Sequence, residues 1–334
     1  MVTNRESSVS VTVPKTGSLE EVERFIRTNL IRFGTDIQAE TRKNGDCTLR
    51  FKGSGSPFLK EGEVWEYPYQ LILIHFPKVN IEIQYFAEGK KRTAFFGSGS
   101  LGVEDKVVKI RPSDLNFLWQ CPRCFYLRYN LNLGQLFLSV SGGIASALAE
   151  KEEQTMLGKQ TAGWCPQINP PGKFKWQGET LTSNPLPLEG GNTYYIGGKF
   201  DLLAELSDGT FAVVDCKTTS KSKKKLENFY SYQLQAYAYC LENPPDEDFT
   251  KKLKTLDNRI HRLPTLGSQK REVSHLGLLC FDIQSGQINA TLQGTTFSAD
   301  VSYVPIKNDS QALLDRAQAV ADLLEQDSPP EASA

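Results

Sequence analysis

The stretch FAVVDCKTTSKSKKK, residues 211–225, sets Asp215 and Lys217 on either side of Cys216 at the end of an apolar run. In a strand, side chains at i and i+2 share a face. Asp215 and Lys217 therefore point one way, while Ala212, Val214 and Cys216 point the other, toward a core. The cysteine then reads as a small apolar residue, not a reactive thiol. Upstream, the run IGGKFDLLAEL carries Asp201 and is joined to this strand by Ser207-Asp208-Gly209. Two turns compete. A two-residue Asp208-Gly209 turn would pair Asp201 with Cys216, on the wrong face. A three-residue loop with Gly209 left-handed pairs Leu206 with Thr210, and hence Asp201 with Asp215. Directly opposed residues hold their Cβ atoms about 4.5–5.5 Å apart, where two carboxylates repel unless a cation lies between them. The second turn is favoured because it gathers Asp201, Asp215 and Lys217 into one polar cluster, although that outcome itself guides the choice. Hard carboxylate oxygens suit Mg²⁺ or Mn²⁺. A neighbouring lysine can orient or deprotonate an attacking water, or stabilise charge developing on a phosphate. Together these are the parts for metal-assisted hydrolysis of a phosphodiester. A bare D-x-K is more often an exposed ion pair at a strand end, so the surrounding elements must decide.

With 334 residues, 39% apolar and 23% charged, the chain has the length for one large or two smaller domains and the makeup of a soluble globular protein. The N-terminus lacks the apolar segment of a signal peptide, and LILIHF at 71–76 is too short to span a bilayer, so a cytoplasmic protein with no membrane partner is expected. A net charge of −1 gives no global case for nucleic acid; binding would need a local basic patch. Seven cysteines, an odd number without secretory context, predict free thiols. His75, His261 and His275 share no metal-binding spacing.

The first hundred residues predict a small α+β domain, 1–105. SVSVTV alternates as a strand. Ser18 and Glu21 make a capping box before a helical face of Val22, Ile26, Leu30 and Phe33, with Gly34 as the C-terminal cap. Strands follow at DCTLRF, VWEYPYQLILIHF, VNIEIQYF and RTAFF, and GSGSLGVED at 97–105 has linker composition. The second domain, 106–327, opens on a helix capped near Ser113 and broken at Pro122. A helix at 144–156, a Pro/Gly-rich loop at 165–191, a strand pair within 194–217, a basic loop and a helix at 226–242 come next. Two strands, HLGLLCFDI and ADVSYVPI, and a last helix, SQALLDRAQAVADLLEQ, complete it. The tail, 328–334, is expected to be disordered.

In this setting, G-K-F-D at 198–201, V-V-D-C-K-T at 213–218, Q-L-Q-A-Y at 233–237 and P-S-D-L-N-F-L-W-Q-C-P-R-C-F-Y-L-R-Y at 112–129 resemble the PD-(D/E)XK nuclease superfamily. The resemblance is to its RecB-like branch, which includes CRISPR-associated exonucleases, and it runs over about 106–325. Each motif alone is weak, and four in order are more specific. The resemblance implies an α/β fold with a restriction-endonuclease-like core, a central mixed sheet flanked by helices, after the small α+β domain. It implies Asp201 and Asp215 as ligands of Mg²⁺ or Mn²⁺, the Cys216 backbone carbonyl as a third, and Lys217 as the catalytic lysine. Gln233 and Tyr237, at i and i+4 on one helix face, match an element that supports the site or contacts substrate. The plainer reading of Tyr237 is a buried stripe with Tyr230 and Leu234. Two departures stand out. Branch members often carry a histidine ligand on the first core helix; SGGIASALAEKEE has none, and Glu150 is the first substitute, before Glu152 or Glu153. The C-terminal cysteine trio of iron–sulfur relatives is missing, which argues against such a cluster, and Cys121 and Cys124 are expected to pack as thiols.

Lys221, Lys223, Lys224 and Lys225, followed by Tyr230, would draw backbone phosphates and stack bases at the rim of such a site, although charge runs are usually solvated loops. The expected function is a divalent-metal-dependent nuclease, acting on DNA before RNA. The alternative is an inactive nuclease-fold module that binds nucleic acid or a partner protein, and the N-terminal domain is a candidate for recruiting a partner.

Overall fold

The computed structural model describes residues 6–14, 18–29, 37–41, 46–54, 72, 76, 79–87, 90–97, 106–116, 118, 121–130, 150–219, 223–256, 261–282, 288–291, 294–297, 299–326 and 329–331. The chain divides into two compact units. One comprises Met1–Val103, Pro122–Phe137 and Gln326–Ala334; the other comprises Glu104–Cys121 and Leu138–Glu325.

In the first unit, β1 (Glu6–Val13) precedes α1 (Leu19–Asn29), β2 (Ile37–Thr41), β3 (Cys47–Ser54), β4 (Asn80–Ala87) and β5 (Lys90–Gly97). The strands form one antiparallel sheet in the order β2-β3-β1-β4-β5. Alternation in β1 turns Val11 and Val13 into the core. The Glu21 N–H donates to Ser18 Oγ at 3.3 Å, which caps α1 and lets Val22 and Ile26 bury their side chains. Leu30, Phe33 and Gly34 lie outside the described residues, as does nearly all of the strand expected at 64–76 and of the linker at 97–105. At the end of the former, Ile72 is helical and the Phe76 N–H donates to its carbonyl at 2.7 Å. Ile72 is thus helical where a strand was expected.

Helix α2 (Pro122–Asn130) groups with this unit, whereas the sequence placed it in the second domain. It buries Phe125, Tyr126 and Leu127, and it holds the chain's end. Tyr126 Oη donates to the Gln326 carbonyl at 3.1 Å, and Arg123 Nη1 donates to the Pro330 carbonyl at 2.6 Å. Within the tail expected to be disordered, Pro330 is held by this bond, and 327–328 and 332–334 lie outside the described residues.

The second unit begins with β6 (Val107–Ile110) and a 3-10 turn, Pro112–Asn116, where a helix was expected. Helix α3 is described over 150–156. Next come β7 (Gly172–Gln177) and β8 (Thr180–Thr182), inside the stretch expected to be loop. Phe174, fully buried between exposed Lys173 and Lys175, supplies the period-2 signal that the flanking prolines and glycines obscured. After β9 (Thr193–Lys199), β10 (Leu202–Leu206) and β11 (Phe211–Thr219), helix α4 (Lys223–Glu242) takes in Lys223, Lys224 and Lys225 as its first turn. The expected basic loop is shorter by those three residues, since lysine is a good helix former. Helix α5 (Glu247–Thr255) had no sequence expectation; Asp246 caps it by accepting from the Phe249 N–H at 2.8 Å. Strands β12 (Val273–Asp282), β13 (Ile288–Thr291), β14 (Gly294–Phe297) and β15 (Asp300–Ile306) and helix α6 (Ser310–Leu324) complete the unit.

The central sheet runs β15-β12-β11-β10-β7. Strands β11 and β12 are parallel, and the other pairs are antiparallel. A parallel neighbour needs a long crossover, which α4 and α5 supply. On one face, Leu202, Ala204, Ala212, Val214 and Cys216 pack into a core with Met156 of α3, and α4 reaches the opposite face through Gln233. A second sheet, β6-β9-β8, has β6 parallel to β9. The run IGGKFDLLAEL, expected as one strand, is thus two. It breaks at Phe200-Asp201, with β9 in one sheet and β10 in the other.

Candidate active site

The hairpin β10–β11 decides what faces what. Leu206 N–H donates to the Thr210 carbonyl at 2.9 Å, and Gly209 has φ +84°, so Ser207-Asp208-Gly209 forms a three-residue loop with its glycine left-handed. The ladder runs Glu205↔Phe211 to Leu202↔Val214. Asp201 lies in the bend one position beyond the ladder, where its charge and that of Asp215 repel. The Cys216 N–H reaches across to Asp201 Oδ2 at 2.8 Å.

Asp215 is 1% exposed. Its Oδ1 accepts from Gln233 Nε2 at 3.0 Å, and its Oδ2 lies 2.6 Å from Lys217 Nζ. Lys217 is thus both charge partner and donor to Oδ2. Burial, and next the charge of Asp215, push Asp201 up to about 8, against Lys217 and the Cys216 N–H, which favour its ionised form. Burial alone would lower the Lys217 ammonium; Asp215 and Asp201 outweigh it and hold the lysine above its ordinary value. One lysine thus shares two buried carboxylates. This is an under-neutralised pair.

Helix α4 supports both strands. Four residues after Gln233, buried Tyr237 donates its hydroxyl to the Lys199 carbonyl at 2.7 Å. Tyr230, one turn earlier, lays its ring 4.7 Å from Lys217 Nζ and meets Phe229 edge-on at 4.9 Å. Tyr230 therefore covers the lysine. Lys221 lies outside the described residues, as do the side chains of Lys223, Lys224 and Lys225.

Glu150, the first sequence choice for a further ligand, is exposed and accepts from Gln154 Nε2 at 3.1 Å. The acids turned toward the site are its neighbours. Burial raises Glu153, opposed by Lys199 and Lys217 and reinforced by Asp215. Burial also raises Glu152, whose Oε1 accepts from Thr218 Oγ1 at 2.7 Å. The helical period could have found them: Met156 is 1% exposed, and positions i−3 and i−4 from it are Glu153 and Glu152. The Cys216 thiol sits in the core, where burial raises its pKa, so it offers no sulfur ligand. Cys121 and Cys124 are disulfide-bonded, which corrects the expectation of free thiols for that pair. Cys47, Cys165, Cys216, Cys240 and Cys280 form no disulfide.

Among the described residues, no group of three or more His, Cys, Asp or Glu side chains is arranged to hold a metal. Asp201 and Asp215 nonetheless fit a hard divalent cation. Mg²⁺ is commonly held by one or two carboxylates plus water, and here two carboxylates share one lysine while the charge of Asp215 disfavours the ionised form of Asp201. No helix among the described residues is long and apolar enough to cross a membrane.

Comparison with known proteins adds three findings. No curated protein matches the chain. Among solved structures, that of SSO0001 aligns with a TM-score of 0.35 and 16% identity, covering 66% of this chain and 78% of that one, a likeness too slight to reason from. The family model for the PD-(D/E)XK nuclease superfamily matches residues 144–271, which span α3, the β10–β11 hairpin and α4. Residues 144–271 are a PD-(D/E)XK nuclease superfamily domain, and the mixed sheet with its flanking helices is its restriction-endonuclease-like core.

Proposed function

We propose that the chain is a nuclease dependent on Mg²⁺ or Mn²⁺ that hydrolyses phosphodiester bonds of DNA. The observation that carries this reading is the mutual charge interaction of Asp201 and Asp215 at the open end of the hairpin, with Lys217 bonded to the second. Asp201 and Asp215 would hold the cation, with Glu153, which interacts electrostatically with each of them, as the further acid. When bound, such a cation polarises the scissile phosphate and makes water a better nucleophile. Gln233 and the Cys216 N–H fix the two carboxylates in place. Lys217, cationic and covered by Tyr230, is placed to orient the attacking water or to stabilise charge on the phosphoryl oxygens. Tyr237 positions the 199–201 backbone through the Lys199 carbonyl without touching either acid.

The test is a Mn²⁺-dependent cleavage panel over linear and circular, single- and double-stranded DNA and RNA, with Asp215→Ala and Lys217→Ala as controls. Loss of cleavage in folded variants supports the assignment; full activity in both sinks it. A second reading, a non-cutting module, draws on Lys217 resting on Asp215 Oδ2 and on the absence of a preassembled three-acid site among the described residues. Calorimetric titration with Mn²⁺ separates the two, because the module would show no site that Asp201→Ala removes.

A further inference from the structure

Cys121-Pro122-Arg123-Cys124 opens helix α2, and its two cysteines are joined in a disulfide. They differ from the other thiols of the chain. Cys47, Cys165, Cys216, Cys240 and Cys280 are buried and form no disulfide. Burial pushes Cys165 up to about 12 and also raises Cys216 and Cys240, which keeps these thiols protonated and unreactive. Cys121 and Cys124 are both partly exposed. The pair within reach of solvent is the pair that is oxidised.

Its place in the helix decides what the opened pair would be. Helix α2 starts at Pro122, so Cys121 is the N-cap residue and Cys124 the third residue of the helix. Proline suits the first helical position, where its missing N–H would have no partner in the helix. A side chain at the N-cap can accept from the N–H of the third residue, and the helix dipole favours negative charge there. A Cys121 thiolate would therefore be stabilised by the turn that carries Cys124, a setting that lowers the pKa of C-x-x-C thiols. The first turn of α2 holds no acid, and Arg123 adds a positive charge between the two cysteines. Arg123 Nη1 donates to the Pro330 carbonyl at 2.6 Å, a neutral acceptor that leaves this charge uncancelled. The ring closed by the disulfide spans only four residues, so opening it frees little chain entropy. Phe125, Tyr126 and Leu127, next in sequence, are buried and hold the helix by packing whichever state the pair is in.

We propose that Cys121 and Cys124 are a reversible thiol–disulfide exchange site for a low-molecular-weight thiol couple. A thiolate of that class would bond to Cys124 Sγ as the Cys121–Cys124 bond breaks, with the electron pair of that bond left on Cys121. A second thiolate would attack the sulfur of the first in this mixed disulfide, releasing Cys124 and forming the small disulfide. Two electrons pass to the pair, two small thiols are oxidised, and the protons those thiols gave up balance the two cysteine thiolates. The test equilibrates the folded, full-length protein in glutathione buffers, quenches with acid and alkylates, and reads Cys121 and Cys124 by peptide mass spectrometry. The reduced fraction should rise from about a tenth to about nine tenths over a roughly hundredfold increase in squared glutathione over glutathione disulfide, and retrace that curve on reoxidation. Cys124→Ser should abolish the transition, with a melting temperature showing that the variant folds; should it not fold, Cys121→Ser takes its place. A disulfide that persists at the most reducing ratio in folded protein marks a permanent staple and overturns the assignment. Thiols that stay reduced at the most oxidising ratio, or a glutathione adduct in place of the internal bond, overturn it as well. No readout involves cleavage, so the outcome is separate from that of the nuclease reading.

Discussion

Replacing Gln233 with leucine removes one donor and little volume. Gln233 Nε2 donates to Asp215 Oδ1 at 3.0 Å, with the two residues 7% and 1% exposed. A hydrogen bond to a charged acceptor contributes about 1.5–3 kcal/mol. The loss here falls toward the lower part of that range, because Asp215 Oδ2 keeps its Lys217 partner. The carboxylate would be left with Lys217 alone and free to rotate toward it. Supporting residues of this kind commonly change metal affinity or activity by roughly 10–100-fold. Gln233→Leu should therefore lose about 2 kcal/mol in urea denaturation, bind Mn²⁺ at least about tenfold more weakly by calorimetry, and cleave DNA more slowly in proportion. Gln235→Leu is the matched control: its amide donates to the Lys307 carbonyl at 3.3 Å, also buried but away from the acids. That variant should lose stability and keep its Mn²⁺ affinity within about twofold. If the two variants lose stability alike and show the same Mn²⁺ affinity and cleavage rate, Gln233 is a packing residue and the positioning role is wrong.

Asp201 predicts a pH dependence. Its folded pKa is raised to about 8, so the folded state keeps a proton that the unfolded chain releases above about 4. The metal-free stability is then highest below that lower value and falls as pH rises through the upper one. Asp201→Asn should flatten the melting temperature measured in EDTA across this window; an equally steep fall in the variant would assign the effect elsewhere. Gly209→Ala should cost about 1–2 kcal/mol in a denaturant midpoint, from φ +84° alone, since no atom lies within 4 Å of the added Cβ. A neutral or stabilising outcome would refute the three-residue loop.

The hairpin was the most legible part of the site. Alternation placed Cys216 inward and Asp215 with Lys217 outward, and only the turn length stayed open, which Gly209 and the Leu206–Thr210 bond resolve. The break at Phe200-Asp201 was harder to see, because β9 and β10 both read as apolar strand. Which sheet each joins depends on Val107–Ile110, almost ninety positions upstream in the numbering. Glu150 was preferred to Glu153 because acidic residues on a helix look alike until a buried neighbour, here Met156, fixes the inward face.

Helix α4 grips the site at two points, the Asp215 carboxylate of β11 through Gln233 and the Lys199 carbonyl of β9 through Tyr237. These grips are four residues apart, about 6 Å along a helix axis. The helix is therefore a gauge block between two strands that belong to different sheets. Asp201 and Asp215 owe their spacing as much to helical pitch as to their own hairpin. An inserted residue between Gln233 and Tyr237 would rotate one grip by about 100° away from the other. Such an insertion would unset the acid pair without altering any residue that touches it.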